Sequence, residues 1–203
     1  MAMKWSSSTA SGQPEESALK KFGVKGLLLR QADQRDAALL AELGARTFQD
    51  AFAYRMNPED VAAYLAGAFT PEQMRQELAD PLSTFVIALA EGEPAGYARL
   101  YQGHKPDCVA YQPAIELGRF YVCKLWWGRG VSGVQMEVCL DLARQGGCAG
   151  IWLSSWKLND RANAFYRKWG FAIAGEKTFT VGSDVQEDFV LARRLDEDRE
   201  APT

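Results

Sequence analysis

The chain has 203 residues, 47% hydrophobic and 24% charged, with a formal net charge of -3 at pH 7. That length suits one domain, and that composition a globular class with a packed core. The negative balance argues against nucleic acid and anionic membranes as partners, and no apolar run approaches the ~20 residues of a membrane span.

Residues 1–25 lack the apolar stretch of a signal peptide and read as a flexible extension around the low-complexity segment SSSTASGQPEES. A domain is expected from Gly26 to Leu195, followed by a charged tail, 196–203. The run Gly26–Ala32 predicts a strand. Asp33–Phe52 has helical spacing, with Leu39, Leu40, Leu43 and Phe48 as its apolar residues. Two short helices follow in series. Asn57 with Pro58, and Thr70 with Pro71, each place a capping side chain before a proline, and acidic residues come next.

Ser83–Tyr101 reads as two strands around EGEP, a hairpin. Ala114–Leu125 predicts a third long strand. Beyond it stands WWGRGVSG, and then a helix whose Val131, Val134, Val138 and Leu142 share one face, ended by Gly146 and Gly147. AGIWLSSWKL predicts a strand, and NDRANAFYRKWG a helix capped by Asn159 and closed by Gly170. The runs FAIAGEKTFTV and EDFVLARRL complete the chain as strands. This order describes an α/β (α+β) domain, a mixed sheet with helices on its faces.

The four cysteines, Cys108, Cys123, Cys139 and Cys148, form no CxxC pair, and with the single His104 they make a poor zinc set. Reduced thiols in a cytoplasm are the simplest reading, with Cys123 and Cys139 in the core. No metal is expected.

The glycine stretch is the first candidate site. A strand that ends in a glycine-rich turn at a helix N-terminus presents backbone N–H groups without internal partners to an anion. Gly128 and Gly130 allow close approach, and Arg129 adds positive charge. The P-loop pattern is absent. The unit also sits late in the chain, unlike a dinucleotide fingerprint, which belongs to the first strand. A tight entry turn without a ligand is the competing reading. The second candidate is the helix from Asn159, where Asn159, Asn163 and Tyr166 fall on one side at nearly two turns' spacing.

Together, YVCKLWWGRGVSGVQM and WLSSWKLNDRANAFYRKWGF resemble the GCN5-related N-acetyltransferases (GNAT), over Gly26 to Leu195. That family's loop, Gln/Arg-x-x-Gly-x-Gly/Ala, falls on Trp127, Gly128, Arg129, Gly130, Val131 and Ser132, with Trp127 and Ser132 as departures. RTFQDAF, NPEDVAAYL, GYARLY, IELGRFYV and FTVGSDVQEDFVL resemble the bacterial polyamine (spermine/spermidine) N-acetyltransferase-like branch. That branch commonly has a glutamate at the position of Gly118 and a histidine at that of Lys177.

The resemblance implies a mostly antiparallel sheet of about six or seven strands that splays between strands 4 and 5, with about four helices. It implies acetyl-CoA as cosubstrate, with pantetheine in the splay. Tyr121, Val122 and Cys123 would lie against the arm, and the N–H of Val122 or Cys123 would face the thioester oxygen. Gly128 to Gly133 would hold the pyrophosphate, and Asn159 the pantetheine arm. Tyr166 would act as general acid and Glu116 as base or as a binding group for a cationic amine. Phe48, Phe52 and Tyr64 are candidate acceptor lining, with core packing as the competing reading.

Strand alternation puts Glu116, Gly118, Phe120 and Val122 on one face and Leu117, Arg119, Tyr121 and Cys123 on the other, unless a bulge near the splay breaks the register. The implied activity is transfer of an acetyl group to a small-molecule primary amine, possibly by a homodimer. A non-catalytic acyl-CoA-binding module, an acceptor that is an amino acid, peptide N-terminus or drug amine, and a nucleotide-dependent oxidoreductase stand as alternatives.

Overall fold

The computed structural model describes residues 26–195 except Ala53, Arg55 and Ser183. The expected extension and charged tail lie outside the described residues.

The order of elements follows the sequence reading, with sharper ends. Strand β1 is Leu27–Gln31. Asp33 caps a single 3-10 turn, Gln34–Asp36, and helix α1 begins only at Ala37 and runs to Phe52. The capping box between Asp33 and Asp36 makes that turn a separate unit, which helical spacing alone did not reveal. Helix α2, Pro58–Ala68, and helix α3, Pro71–Ala79, start as predicted. The Asn57 side chain accepts from Glu59 N–H, and that of Thr70 from Gln73 N–H. Each such cap contributes ~1 kcal/mol.

Strands β2, Ser83–Ala90, and β3, Glu93–Tyr101, are joined by Glu91 and Gly92. Both have positive φ, 55° and 86°, which matches the twist of a two-residue hairpin turn. Strand β4 is Ala114–Val122, shorter than predicted, because Lys124–Trp126 form a 3-10 turn. Helix α4 is Val131–Gln145, β5 is Gly150–Trp156 and α5 is Asp160–Lys168. The last two strands are β6, Ala172–Val181, and β7, Asp184–Arg194. There are five helices among the described residues rather than about four.

The sheet order is β1-β2-β3-β4-β5-β7-β6, antiparallel except for β4 and β5. That parallel pair is short. It joins Ala114 to Gly150, Ile115 to Ile151 and Glu116 to Trp152, and ends there. Beyond Glu116 the two strands part, and the expected splay opens.

Strand β4 also bulges. Arg119 pairs with Arg99, but Leu117 pairs with Leu100, so Gly118 is the extra residue. The simple alternation is therefore overturned. Glu116, Arg119 and Tyr121 stand opposite Tyr101, Arg99 and Tyr97 on one face, and Leu117, Phe120 and Val122 share the other.

The first face packs on α1 and α3. There Tyr97, fully buried, stacks on Tyr121 at 5.6 Å between ring centroids. Glu77 of α3 receives two hydrogen bonds from Arg119, at 2.6 and 2.9 Å, and lies 3.2 Å from Arg99. The second face packs on α4 and α5, where Phe120 stacks on Phe165. Cys123 and Cys139 are buried, as expected.

Candidate active site

A cavity of about 550 Å³ runs from the splay to α1, α2 and the β6–β7 hairpin. One end is the opened edge of β4. Cys123 N–H donates to the Ala95 carbonyl at 2.8 Å, so the N–H of Cys123 points toward β3, while its carbonyl accepts from Trp126 N–H. Antiparallel pairing alternates, so the N–H groups of Phe120 and Val122 point into the gap. This narrows one expectation. Cys123 presents no N–H to a ligand in the splay, and its thiol lies against Arg46 and the Pro94 carbonyl on the far side. The free donors on this edge belong to Phe120, which sequence reasoning missed, and Val122.

The glycine stretch forms the mouth. Gly128 and Gly130 have φ of 72° and 86°, a left-handed backbone that favours glycine. Gly130 is the N-cap of α4 and supplies no side-chain bond. Its carbonyl accepts from Gly133 and Val134 N–H, while the N–H groups of Val131 and Ser132 open the helix without partners inside it. Ser132, Gly128 and Trp127 line the cavity. Three other predicted loop residues do not line the cavity. Val131 is core, Arg129 lies over the Trp126 ring, and Gly133 sits near Trp169.

Trp127 is more than a missing polar contact. Its indole N–H donates to the Val122 carbonyl at 2.7 Å, and the Arg161 guanidinium stacks 3.3 Å over its ring. The glycines at 128, 130 and 133 carry G-x-G-x-x-G spacing, but they follow the fourth strand of a largely antiparallel sheet, not the first of a doubly wound one.

Helix α5 supplies Asn159 and Tyr166. The Asn159 side chain accepts from Ala162 N–H, capping the helix, and the residue lines the cavity. Asn163, on the same side, donates to the carbonyls of Trp156 and Lys157, so it ties α5 to the end of β5. Tyr166 is 8% exposed and packed edge-on against Phe120, Phe165 and Phe171. It lines the cavity, and burial raises its pKa well above the ordinary 10. It therefore keeps its proton at any physiological pH.

The other lobe is aromatic. Phe48 meets Phe52 and Tyr64 at 4.9 and 4.8 Å, Tyr64 meets Phe179, and Phe52 meets Trp156. Phe48, Phe52 and Tyr64 all line the cavity and also pack on the core. Set among them are Glu116, Lys177 and Asp188. Burial raises the pKa of both carboxyls, while the Lys177 ammonium pulls each back down. Asp188 lies within FTVGSDVQEDFVL, but nothing in that segment singled it out as a site residue. It enters the site because β7 pairs it with Lys177 on one side and Trp156 on the other.

The profile of the Acetyltransferase (GNAT) family matches residues 48–171. The chain belongs to that family. It is similar to an uncharacterized N-acetyltransferase of Mycobacterium tuberculosis, with 32% identity over 160 residues, which cover 79% of this chain and 98% of the other. Over 92 residues, 45% of this chain and 46% of the other, it is 30% identical to a streptothricin acetyltransferase of Streptomyces lavendulae. Its fold matches that of the PaiA N-acetyltransferase of Thermoplasma acidophilum, solved with coenzyme A. The TM-score there is 0.67, with 17% identity, covering 83% of this chain and 98% of that one.

This GNAT protein is an N-acetyltransferase, and acetyl-CoA is its cosubstrate. The readings as a non-catalytic module and as an oxidoreductase fall with that assignment. The residues fit the donor. The gap offers the unpaired edge of β4 to an extended amide chain, and the mouth offers free N–H groups at a helix start to phosphates. Among the described residues, no metal-binding cluster forms, and no helix is long and apolar enough to cross a membrane.

Proposed function

We propose that this enzyme acetylates a primary amine of a small cationic acceptor, of which a polyamine is the leading class. The carrying observation is the second lobe of the cavity, an aromatic chamber with two desolvated carboxyls, Glu116 and Asp188, continuous with the splay. Aromatic faces and carboxylates both favour cations. The lobe also suits a drug amine, and the local similarity to a streptothricin acetyltransferase favours that second reading.

In this scheme the splay holds the pantetheine arm against Phe120 and Val122, with Asn159 and Tyr121 beside it. Gly128, Gly130 and the N–H groups of Val131 and Ser132 hold the pyrophosphate, with Arg129 and Gly133 shaping the loop. The donor supplies an acetyl thioester. The N–H of Phe120 or Val122 polarises its carbonyl as negative charge develops there. An aliphatic ammonium has a pKa of about 10, so the acceptor must lose a proton before it attacks. Glu116 takes it, directly or through water. Tyr166 protonates the leaving thiolate. Phe48, Phe52 and Tyr64 hold the acceptor's carbon chain.

The proposal places the enzyme in a reducing cytoplasm, which the four unpaired cysteines support. It extends to a homodimer, for which exposed Ile173 and Val185 offer apolar surface. The test is direct. The protein is incubated with acetyl-CoA and a panel of amines led by spermidine and spermine, and products are read by mass spectrometry. Acetylated polyamine is expected, and a panel with no acetylated amine rejects the reading.

A further inference from the structure

Among the described residues, the arginines under the acceptor lobe are already paired, and its two carboxyls, Glu116 and Asp188, are in no ion pair within 4.0 Å. Arg119 and Arg99 are both held by Glu77. Lys177 places its ammonium 5.7 Å from the centre of the Trp152 ring and makes no ion pair within 4.0 Å among the described residues. Asp188 is 8% exposed, lines the cavity, and has no hydrogen-bond donor or ion pair among the described residues. A buried carboxylate normally has several donors, because an unpaired one loses its hydration without return. Burial of this kind in a cavity marks a group that a ligand completes.

We propose that Asp188 is a specificity-determining residue that binds a second, non-reacting ammonium of the acceptor, which is therefore a diamine or a longer polyamine. The inference rests on the acetyl-transfer reading above. Register supports two separate subsites. Glu116 pairs with Trp152 at the closed end of the splay, whereas Asp188 pairs with Trp156, four residues further along β5. Lys177 stands next to Asp188 on β6 and acts on both carboxyls. It favours the ionised form of each without occupying either one's hydrogen-bonding oxygens. Phe48, Tyr64 and Phe179 line the same cavity and offer apolar surface to the methylenes that separate two amines.

Two probes isolate the second charge, because putrescine and n-butylamine share a four-carbon chain and differ by one amine. With acetyl-CoA saturating, wild type should use putrescine with a kcat/KM at least about tenfold above that of n-butylamine, the size of one charge-assisted contact. Asp188→Asn should erase that preference through KM for putrescine, with a much smaller change for n-butylamine. Independently of turnover, putrescine should raise the Tm of wild type and not that of Asp188→Asn. The unliganded variant should melt no lower than wild type.

Equal use of the two amines by wild type overturns the inference and leaves the acetyltransferase reading intact. So does a parallel loss on both amines in Asp188→Asn, which would place the reacting amine at Asp188. If neither amine nor any other is acetylated, the proposed amine acceptor fails and takes the inference with it.

Discussion

Glu116 and Tyr121 share one face of β4, although five residue steps separate them, because the strand bulges at Gly118. Without the bulge, Glu116 would point with Phe120 toward α5 and leave the acceptor lobe. A Cβ at Gly118 would meet the Glu116 carboxyl carbon at 3.6 Å, an ordinary contact. Gly118→Ala should therefore fold with a stability change within ~0.5 kcal/mol. Deleting Gly118 restores plain alternation and should abolish turnover. Thermal melts and the amine assay check both.

The same carboxyl sets a pH limb. Burial raises Glu116 above its ordinary 4.5, and its working form is the carboxylate. Activity should therefore rise with pH through a limb displaced above the usual glutamate range, and Glu116→Gln should lose that limb with most of its rate. The stability sign is opposite. A raised pKa means the folded state keeps a proton that the unfolded chain releases, so stability falls as pH rises between the two values. Glu116→Gln should be at least as stable as wild type at pH 7. A pH–rate profile and a Tm series at several pH values measure the two effects.

Tyr166→Phe removes only a hydroxyl and keeps the ring against Phe120, Phe165 and Phe171. General acids contribute roughly 100-fold or more, so kcat should fall by about that factor while the affinity for coenzyme A stays within ~2-fold. Unchanged turnover would remove Tyr166 from the chemistry.

Trp127 occupies the Val122 carbonyl, one acceptor on the edge proposed to hold the pantetheine arm. Trp127→Gln frees that carbonyl and replaces the stacked ring beneath Arg161. One net hydrogen bond is worth ~1 kcal/mol, so coenzyme A should bind about fivefold tighter by calorimetry. Weaker binding would instead make Trp127 a needed wall of the site.

Glu77 holds two arginines under the acceptor lobe, with 10% of its side chain exposed. Glu77→Gln leaves the Arg119 charge without its carboxylate and should cost about 3 kcal/mol. At about 3 °C per kcal/mol for a domain of this size, Tm should fall by roughly 10 °C.

The sequence alone determined the elements and much of the site's identity, because these are local properties. Asn57, Thr70 and Asn159 cap helices through neighbours two or three residues away. Gly128 and Gly130 adopt a backbone that few other residues tolerate. The GNAT likeness of the glycine stretch and of the Asn159–Tyr166 helix followed from such short-range patterns.

Only the tertiary structure decided which atoms meet. The Gly118 bulge depends on pairing with β3, so strand alternation assigned Glu116 the wrong companions. The N–H direction of Cys123 depends on Ala95, 28 residues earlier. Asp188 was not singled out within FTVGSDVQEDFVL, and its pairing with Lys177 and Trp156 brings it into the cavity. Strand register is fixed by long-range hydrogen bonds and by burial of one face, and a one-residue shift turns a side chain from one face to the other.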